Sequence, residues 1–154
     1  MVVELAPPHV EGCLDVIRSL PEWFGYAGAV EDVATALESQ QGFVALEGSV
    51  VAGFVAIEPV YDESIEITYL AVHADHRRSG LGRALVRSVA EFARVHDVAS
   101  VCLVTLGPSA ESLPQAETID FYRAIGFWRT KELYLSAWGG APTVLMVAPV
   151  GQLP

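Results

Sequence analysis

Positive charge is scarce in this sequence. Its 154 residues hold nine basic side chains, of which Lys131 is the sole lysine, against nineteen acidic ones, for a formal net charge of −10. That balance, with a pI near 4.7, opposes nucleic acid and anionic membrane as partners and favours a cationic one. Cysteine is scarce as well: Cys13 and Cys102 lie far apart and outside any Cys-x-x-Cys spacing. Neither a disulfide framework nor a zinc site is indicated, and two buried thiols in a reducing, cytoplasmic setting are expected. No apolar run approaches the ~20 residues that span a bilayer, and no cation precedes Arg18 as a secretory leader would require. There is no internal repeat and no low-complexity tract.

What is present is apolar: 52% of the residues are hydrophobic and the mean hydropathy is +0.39, ample for a packed core in a single domain over 1–154. Val2 to Leu5 is a first strand. Pro8 opens a helical pattern with Val10, Leu14, Ile17 and Leu20 on one side, stopped by Pro21, and Val30, Val33, Ala34 and Leu37 form a second helix. Gln41 to Glu47 and Val50 to Val60 read as a hairpin joined at Gly48-Ser49, with Pro59 closing its second strand, and Ile65 to Val72 continues the sheet. Leu81, Leu85, Val89 and Phe92 recur at helical spacing, and Ser100 to Leu106 is a buried strand. Gly107 to Thr118 is the longest irregular candidate. Ile119 to Ile125 is a helix capped by Gly126, followed by strands at Phe127 to Thr130 and Val144 to Val147. The class is α/β, with a β-heavy middle.

Five of the nine basic residues (Arg77, Arg78, Arg83, Arg87 and Arg94) fall within eighteen positions, just where a strand passes through HADHRRSGLG into a helix. The first four amides of a helix lack partners and its N-terminus carries roughly half a positive charge, so an anion such as pyrophosphate can be held there by main chain. Gly80 and Gly82 let the backbone approach it, and guanidinium groups suit phosphate oxygens. Three other readings compete. A dinucleotide fingerprint would need glycine where Leu85 stands and a tighter turn, and a nucleoside-triphosphate loop would need GxxxxGK[ST], which is absent. An ordinary glycine-containing loop is the third.

The segment ITYLAVHADHRRSGLGRALV resembles the coenzyme A motif of the GNAT superfamily of N-acetyltransferases, [R/Q]xxGx[G/A], which Arg77-Arg78-Ser79-Gly80-Leu81-Gly82 matches in full. The later FYRAIGF stretch resembles a second family feature, and together the matches extend over roughly residues 40 to 130. Trp138-Gly139, the run Val144 to Val147 and TLGPS at 105 to 109 are similar to a set of small bacterial GNAT proteins.

The resemblance implies a central mixed, mostly antiparallel sheet of about six to seven strands, flanked by about four helices, with the fourth and fifth strands splayed around the pantetheine of acetyl-coenzyme A. Carried over by position, the main chain of Leu70, Ala71 and Val72 meets the acetyl and pantetheine groups, with an amide at Leu70 for the developing oxyanion. Arg77, Arg78, Ser79, Gly80, Leu81, Gly82 and Arg83 hold the pyrophosphate. Tyr122 stands where relatives place a tyrosine that protonates the departing thiolate, and Glu66 where some carry a catalytic base. A lysine-like amine is only about one part in ~2,500 neutral at pH 7, a cost of roughly 4.6 kcal/mol, so a base is useful. Strand alternation puts Glu66, Thr68 and Leu70 on one face, as far as a bulge near Leu70 permits. Both side chains have plainer readings: a solvated strand glutamate, or one that merely attracts a cation, and a tyrosine that only packs.

The sequence departs from the family after the fifth strand, where relatives carry an asparagine on pantetheine and this chain has Gly107-Pro108-Ser109, leaving Ser109 as a substitute. The segment continues through ESLPQAE as a candidate lid or dimer contact. Trp23, Phe24 and Tyr26 are candidates to wall an acceptor pocket, or to pack in the core. His73 and His76, three apart without further ligands, do not indicate a metal. The implied function is acetyl transfer to a primary amine of a small molecule or protein, by direct attack in a ternary complex, with a homodimer expected from the family. A non-catalytic acyl-coenzyme A sensor is the alternative.

Overall fold

The computed structural model describes residues 1–107, 109 and 113–154. One seven-stranded sheet, ordered β1-β2-β3-β4-β5-β7-β6, forms its middle layer. The strands are β1 (Val2–Glu4), β2 (Gln41–Glu47), β3 (Val50–Tyr61), β4 (Ser64–Val72), β5 (Ser100–Leu106), β6 (Trp128–Tyr134) and β7 (Pro142–Pro149). The helices are α1 (Val10–Arg18), α2 (Pro21–Phe24), α3 (Ala29–Ser39), α4 (Leu81–Val95) and α5 (Leu113–Ala124). All neighbours pair antiparallel except β4 and β5.

Both faces of the sheet are covered, which explains why β3 reads as a nearly unbroken apolar run rather than an alternating one. Val55 and Ile57 enter one core with Leu85, Val86 and Val89 of α4 and Ile119 and Tyr122 of α5, while Phe54 and Ala56 enter the other with Leu14, Ile17 and Val33 of α1 and α3. Among the described residues no helix is long and apolar enough to cross a membrane.

The hairpin at Gly48-Ser49, the strand at Ser100 to Leu106 and the helix after the glycines stand as expected. Proline accounts for three differences. Pro21 does not merely stop α1 but begins α2 as its first residue, where its missing N–H costs nothing. Pro59 does not close β3, which runs to Tyr61 through an irregular pairing between Pro59 and Tyr61. The stretch expected to be irregular up to Thr118 already turns helical at Leu113, with Pro114 in the first turn. The candidate lid ESLPQAE is therefore mostly the start of α5, and its residues 111 and 112 lie outside the described residues. Gly126, at φ 108°, ends the segment in the left-handed region as expected.

Candidate active site

Eight residues connect Val72 of β4 to Leu81 of α4, and a 3-10 turn at Ala74–His76 shapes their first half. Beyond it the backbone alternates hand: Arg77 is extended (φ −65°, ψ 155°), while Arg78 (φ 60°) and Gly80 (φ 86°) are left-handed. For arginine this costs of order 1–2 kcal/mol. The result is a row of main-chain N–H groups, Arg78 through Arg83, with no hydrogen-bond partner among the described residues, and the first bond of the helix is made only by Ala84 N to Gly80 O at 3.0 Å. Consecutive free N–H groups at a helix N-terminus form an anion-binding concavity.

The two glycines of the turn have different jobs. At Gly80 a Cβ would meet nothing within 4 Å, so only the backbone conformation calls for glycine. At Gly82 the φ is ordinary, and a Cβ would come 3.1 Å from the ring edge of Phe121 and 3.8 Å from Val72 Cγ2. Gly82 thus seats α5 against the start of α4. Gly82→Ala gains up to about 1 kcal/mol of helix propensity, offset by a small shift of the Phe121 ring. The melting temperature is expected to stay within about 3 °C, and cofactor affinity within about twofold by calorimetry.

Beside the turn the sheet opens. β4 and β5 are paired only at Ser64↔Ser100, Ile65↔Val101 and Glu66↔Cys102, and no ladder joins them beyond. His73 N donates to Ala52 O of β3 at 2.9 Å, so by alternation His73 and Ala71 turn their main chain toward β3, and Leu70 and Val72 turn theirs toward the gap. Leu70 and Val72 therefore offer free N–H and C=O groups there. Ala71 does not: its side chain is buried in the α1 and α3 core, and its main chain faces β3.

The bulge expected near Leu70 is present and decides the matter: the pairing Ala56↔Tyr69 and Ile57↔Ile67 leaves Thr68 bulged, so Glu66 and Leu70 do not share a face. One extra residue inverts the pleat. Ile65, Ile67, Leu70 and Val72 thus all lie toward α4, with Tyr69 and Ala71 on the α1 and α3 side. Glu66 lies on that second side, opposite Glu58 of β3 and Cys102 of β5. Thr68 Oγ1 donates to Ala56 O at 3.2 Å and to Gln40 Oε1, and Gln40 Nε2 donates to Glu58 Oε2 at 2.9 Å.

Desolvation, and secondarily the charge of Glu58, holds the Glu66 carboxyl above its ordinary range. A folded-state pKa above the unfolded one means that the native protein binds this proton more tightly. The stability Glu66 contributes is full below its unfolded pKa and declines as pH rises through the folded one. Glu66→Gln is therefore expected to raise the melting temperature at pH 7, by a small amount since the group is half solvated, and to lose that advantage below about pH 4. A thermal melt at both pH values checks it.

Tyr122 is buried, stacked edge-on between Phe121 and Phe127 at centroid distances of 5.3 and 5.5 Å, and its hydroxyl has no hydrogen-bond partner among the described residues. Burial pushes its phenol well above the usual range, so it stays protonated at any physiological pH. It shares a core cluster with Leu70 and Val72, which border the gap.

Of the basic side chains assigned to phosphate, Arg77 and Arg78 contact Glu117 of α5, while Arg83 is exposed and makes no ion pair among the described residues. Ser79 Oγ donates to His76 O, and Leu81 packs on the α4 core. Ser109 is exposed. Trp23 and Phe24 pack against the α1 and α3 core, and Tyr26 is half-exposed. His73 and His76 face each other at 5.7 Å, next to Asp75 and Glu47. Cys13 is fully buried and its thiol pushed up to about 12, whereas Cys102 is only half-buried. Both are free.

Sequence reasoning overlooked Gln40, Glu58 and Glu117. The bulge near Leu70 was legible, since the apolar spacing of Ile65, Ile67, Leu70 and Val72 slips by one between Ile67 and Leu70.

A family model described as an acetyltransferase (GNAT) domain matches residues 38–129. Among curated proteins, the chain is 33% identical to rat N-acetyltransferase family 8 member 3 over 54% of its own length and 36% of that relative's. It is 31% identical to rat N-acetyltransferase 8 over 68% of its own length and 48% of the relative's. The chain thus spans between about a third and a half of these two proteins. Among solved structures, a GNAT-family protein from Desulfovibrio desulfuricans superposes with a TM-score of 0.82 at 20% identity, covering 97% of this chain and 99% of that one. An aminoglycoside 6'-N-acetyltransferase in complex with coenzyme A superposes at 0.74 with 17% identity, covering 97% of each chain. At these identities the likenesses establish the fold.

Proposed function

The chain belongs to the GNAT family of acetyltransferases, and from that premise we propose that it transfers the acetyl group of acetyl-coenzyme A to a primary amine of a small molecule or protein. The observation that carries this reading is the junction of two unsatisfied backbone edges, the row of free N–H groups from Arg78 to Arg83 and the unpaired edge of Leu70 and Val72. The first suits a pyrophosphate, and the second can complete its hydrogen bonds with the amide groups of a pantetheine arm.

In this mechanism the acceptor amine attacks the acetyl carbonyl directly. The N–H of Leu70 stabilises the oxyanion, held in place by the sheet before the reaction begins. Glu66, on the α1 and α3 face, receives the amine proton directly or through water, and its raised pKa brings it closer to the working pH of a base. As the C–S bond breaks, the Tyr122 hydroxyl donates its proton to the thiolate. Burial makes that phenol a reliable donor but a weaker acid, so transfer must accompany bond cleavage rather than follow it. Neither cysteine provides a route through an acetyl-enzyme, because desolvation raises both thiols. We further propose that the protein works in the cytoplasm, where these thiols stay reduced, that it needs no metal, and that it forms a homodimer.

Calorimetric titration of acetyl-coenzyme A, followed by a screen of amines for release of free thiol, tests the reading. Binding at micromolar level with turnover of at least one amine is the expected result. Binding without turnover across polyamine, amino-acid, aminoglycoside and peptide amines would turn it into a sensor.

A further inference from the structure

One carboxylate spans both arginines of the turn. Glu117 Oε2 lies 3.2 Å from Arg77 Nη2, and Glu117 Oε1 lies 3.4 Å from Arg78 Nη2. Arg77 is held from its other side, with its guanidinium carbon 4.4 Å from the centroid of the Trp23 ring. Trp23 Nε1 in turn donates to Thr118 Oγ1 at 3.1 Å, and Thr118 is the residue after Glu117. Four side chains thus close a circuit over the C-terminal end of β4, from α2 on one face of the sheet to α5 on the other.

We propose that Glu117 is an internal occupant of the pyrophosphate site, and that coenzyme A enters by taking Arg77 and Arg78 from it. This rests on the coenzyme A reading above. Withdrawal of Arg77 also uncovers the face of Trp23 on the α2 side, which reports the exchange. The exchange favours the cofactor for physical reasons. Glu117 offers a single charge at a half-exposed site, where ion pairs are weak and salt-screened. A pyrophosphate offers the same arginines more charge and, in addition, engages the row of main-chain N–H groups that Glu117 leaves unpaired. The contact also explains how two adjacent guanidinium groups are kept together, one of them on a left-handed backbone, before any phosphate arrives.

The test is calorimetry of acetyl-coenzyme A, and of inorganic pyrophosphate as a probe without pantetheine, on the parent and on Glu117→Gln. This variant keeps the size of the side chain and its place on an exposed helix face. The expected result is affinity about three- to tenfold tighter in Glu117→Gln for both ligands. In parallel, saturating acetyl-coenzyme A should shift a tryptophan emission component that Trp23→Phe abolishes. Equal or weaker affinity in Glu117→Gln overturns the proposal, weaker affinity meaning that Glu117 instead pre-orders the arginines for phosphate. Unmoved Trp23 emission at saturation overturns the withdrawal of Arg77 and with it the exchange. A folded parent that binds neither ligand overturns the functional reading, and this proposal with it.

Discussion

Gly80→Asp is expected to lower acetyl-coenzyme A affinity by at least about a hundredfold while leaving the protein folded. Two features of the turn separate binding from stability here. A Cβ at Gly80 enters open space, and aspartate both tolerates the left-handed region better than most residues and caps helices well. The melting temperature should therefore change by no more than a few degrees. The same carboxylate would sit at the mouth of the row of N–H groups that the cofactor's phosphates need, satisfying those donors and repelling the ligand. At an effective dielectric of about 20, a unit charge about 4 Å away contributes some 4 kcal/mol, and about 2.8 kcal/mol already corresponds to a hundredfold. Calorimetry beside a thermal melt checks both halves. A folded variant that keeps parental affinity would remove the pyrophosphate from this turn.

Tyr122→Phe should cut kcat by about 10²- to 10³-fold with KM nearly unchanged, the signature of an interaction made only in the transition state. The reason for expecting so little else lies in the environment of the hydroxyl. It makes no hydrogen bond with any described residue, so its removal strands no partner, and the ring stays between Phe121 and Phe127. Stability is expected to hold or to rise slightly. Parental kcat in the variant would reduce Tyr122 to a packing residue and leave the thiolate to be protonated by water.

The fold was legible wherever one local pattern dominated. The hairpin at Gly48-Ser49 and the helix at Leu81 follow from turn chemistry and from a 3.6-residue period, and both stand where the sequence puts them. Proline misled at three points. Pro21 began a helix where it was expected only to stop one, Pro114 stands in the first turn of a helix where an irregular stretch was expected, and at Pro59 the strand ran on past it, because a proline's effect depends on whether its missing N–H was needed. The candidate site was legible as to its main-chain parts, since the glycine and arginine motif carries its own mechanism. Its side-chain parts were not. Glu117 is forty residues from Arg77 in the chain, and no local pattern announces a contact of that range. The bulge at Thr68 moved Leu70 to the face opposite Glu66, which divides the two between separate tasks, a main-chain donor on the gap edge and a carboxylate on the acceptor side.

The three residue pairs that join β4 to β5 also bear on how the molecule comes apart. A sheet laced by full ladders on either side but by so short a seam in the middle is two plates hinged near Ile65, with β1 to β4 in one and β5, β7 and β6 in the other. Amide exchange should be fast beyond that seam, at Leu70 and Val72 on the open edge, although both are residues of a central strand. A ligand wedged there behaves as an eighth strand. At a hundred times its dissociation constant it would add about 2.7 kcal/mol to the stability of the whole, so the substrate doubles as part of the scaffold that binds it.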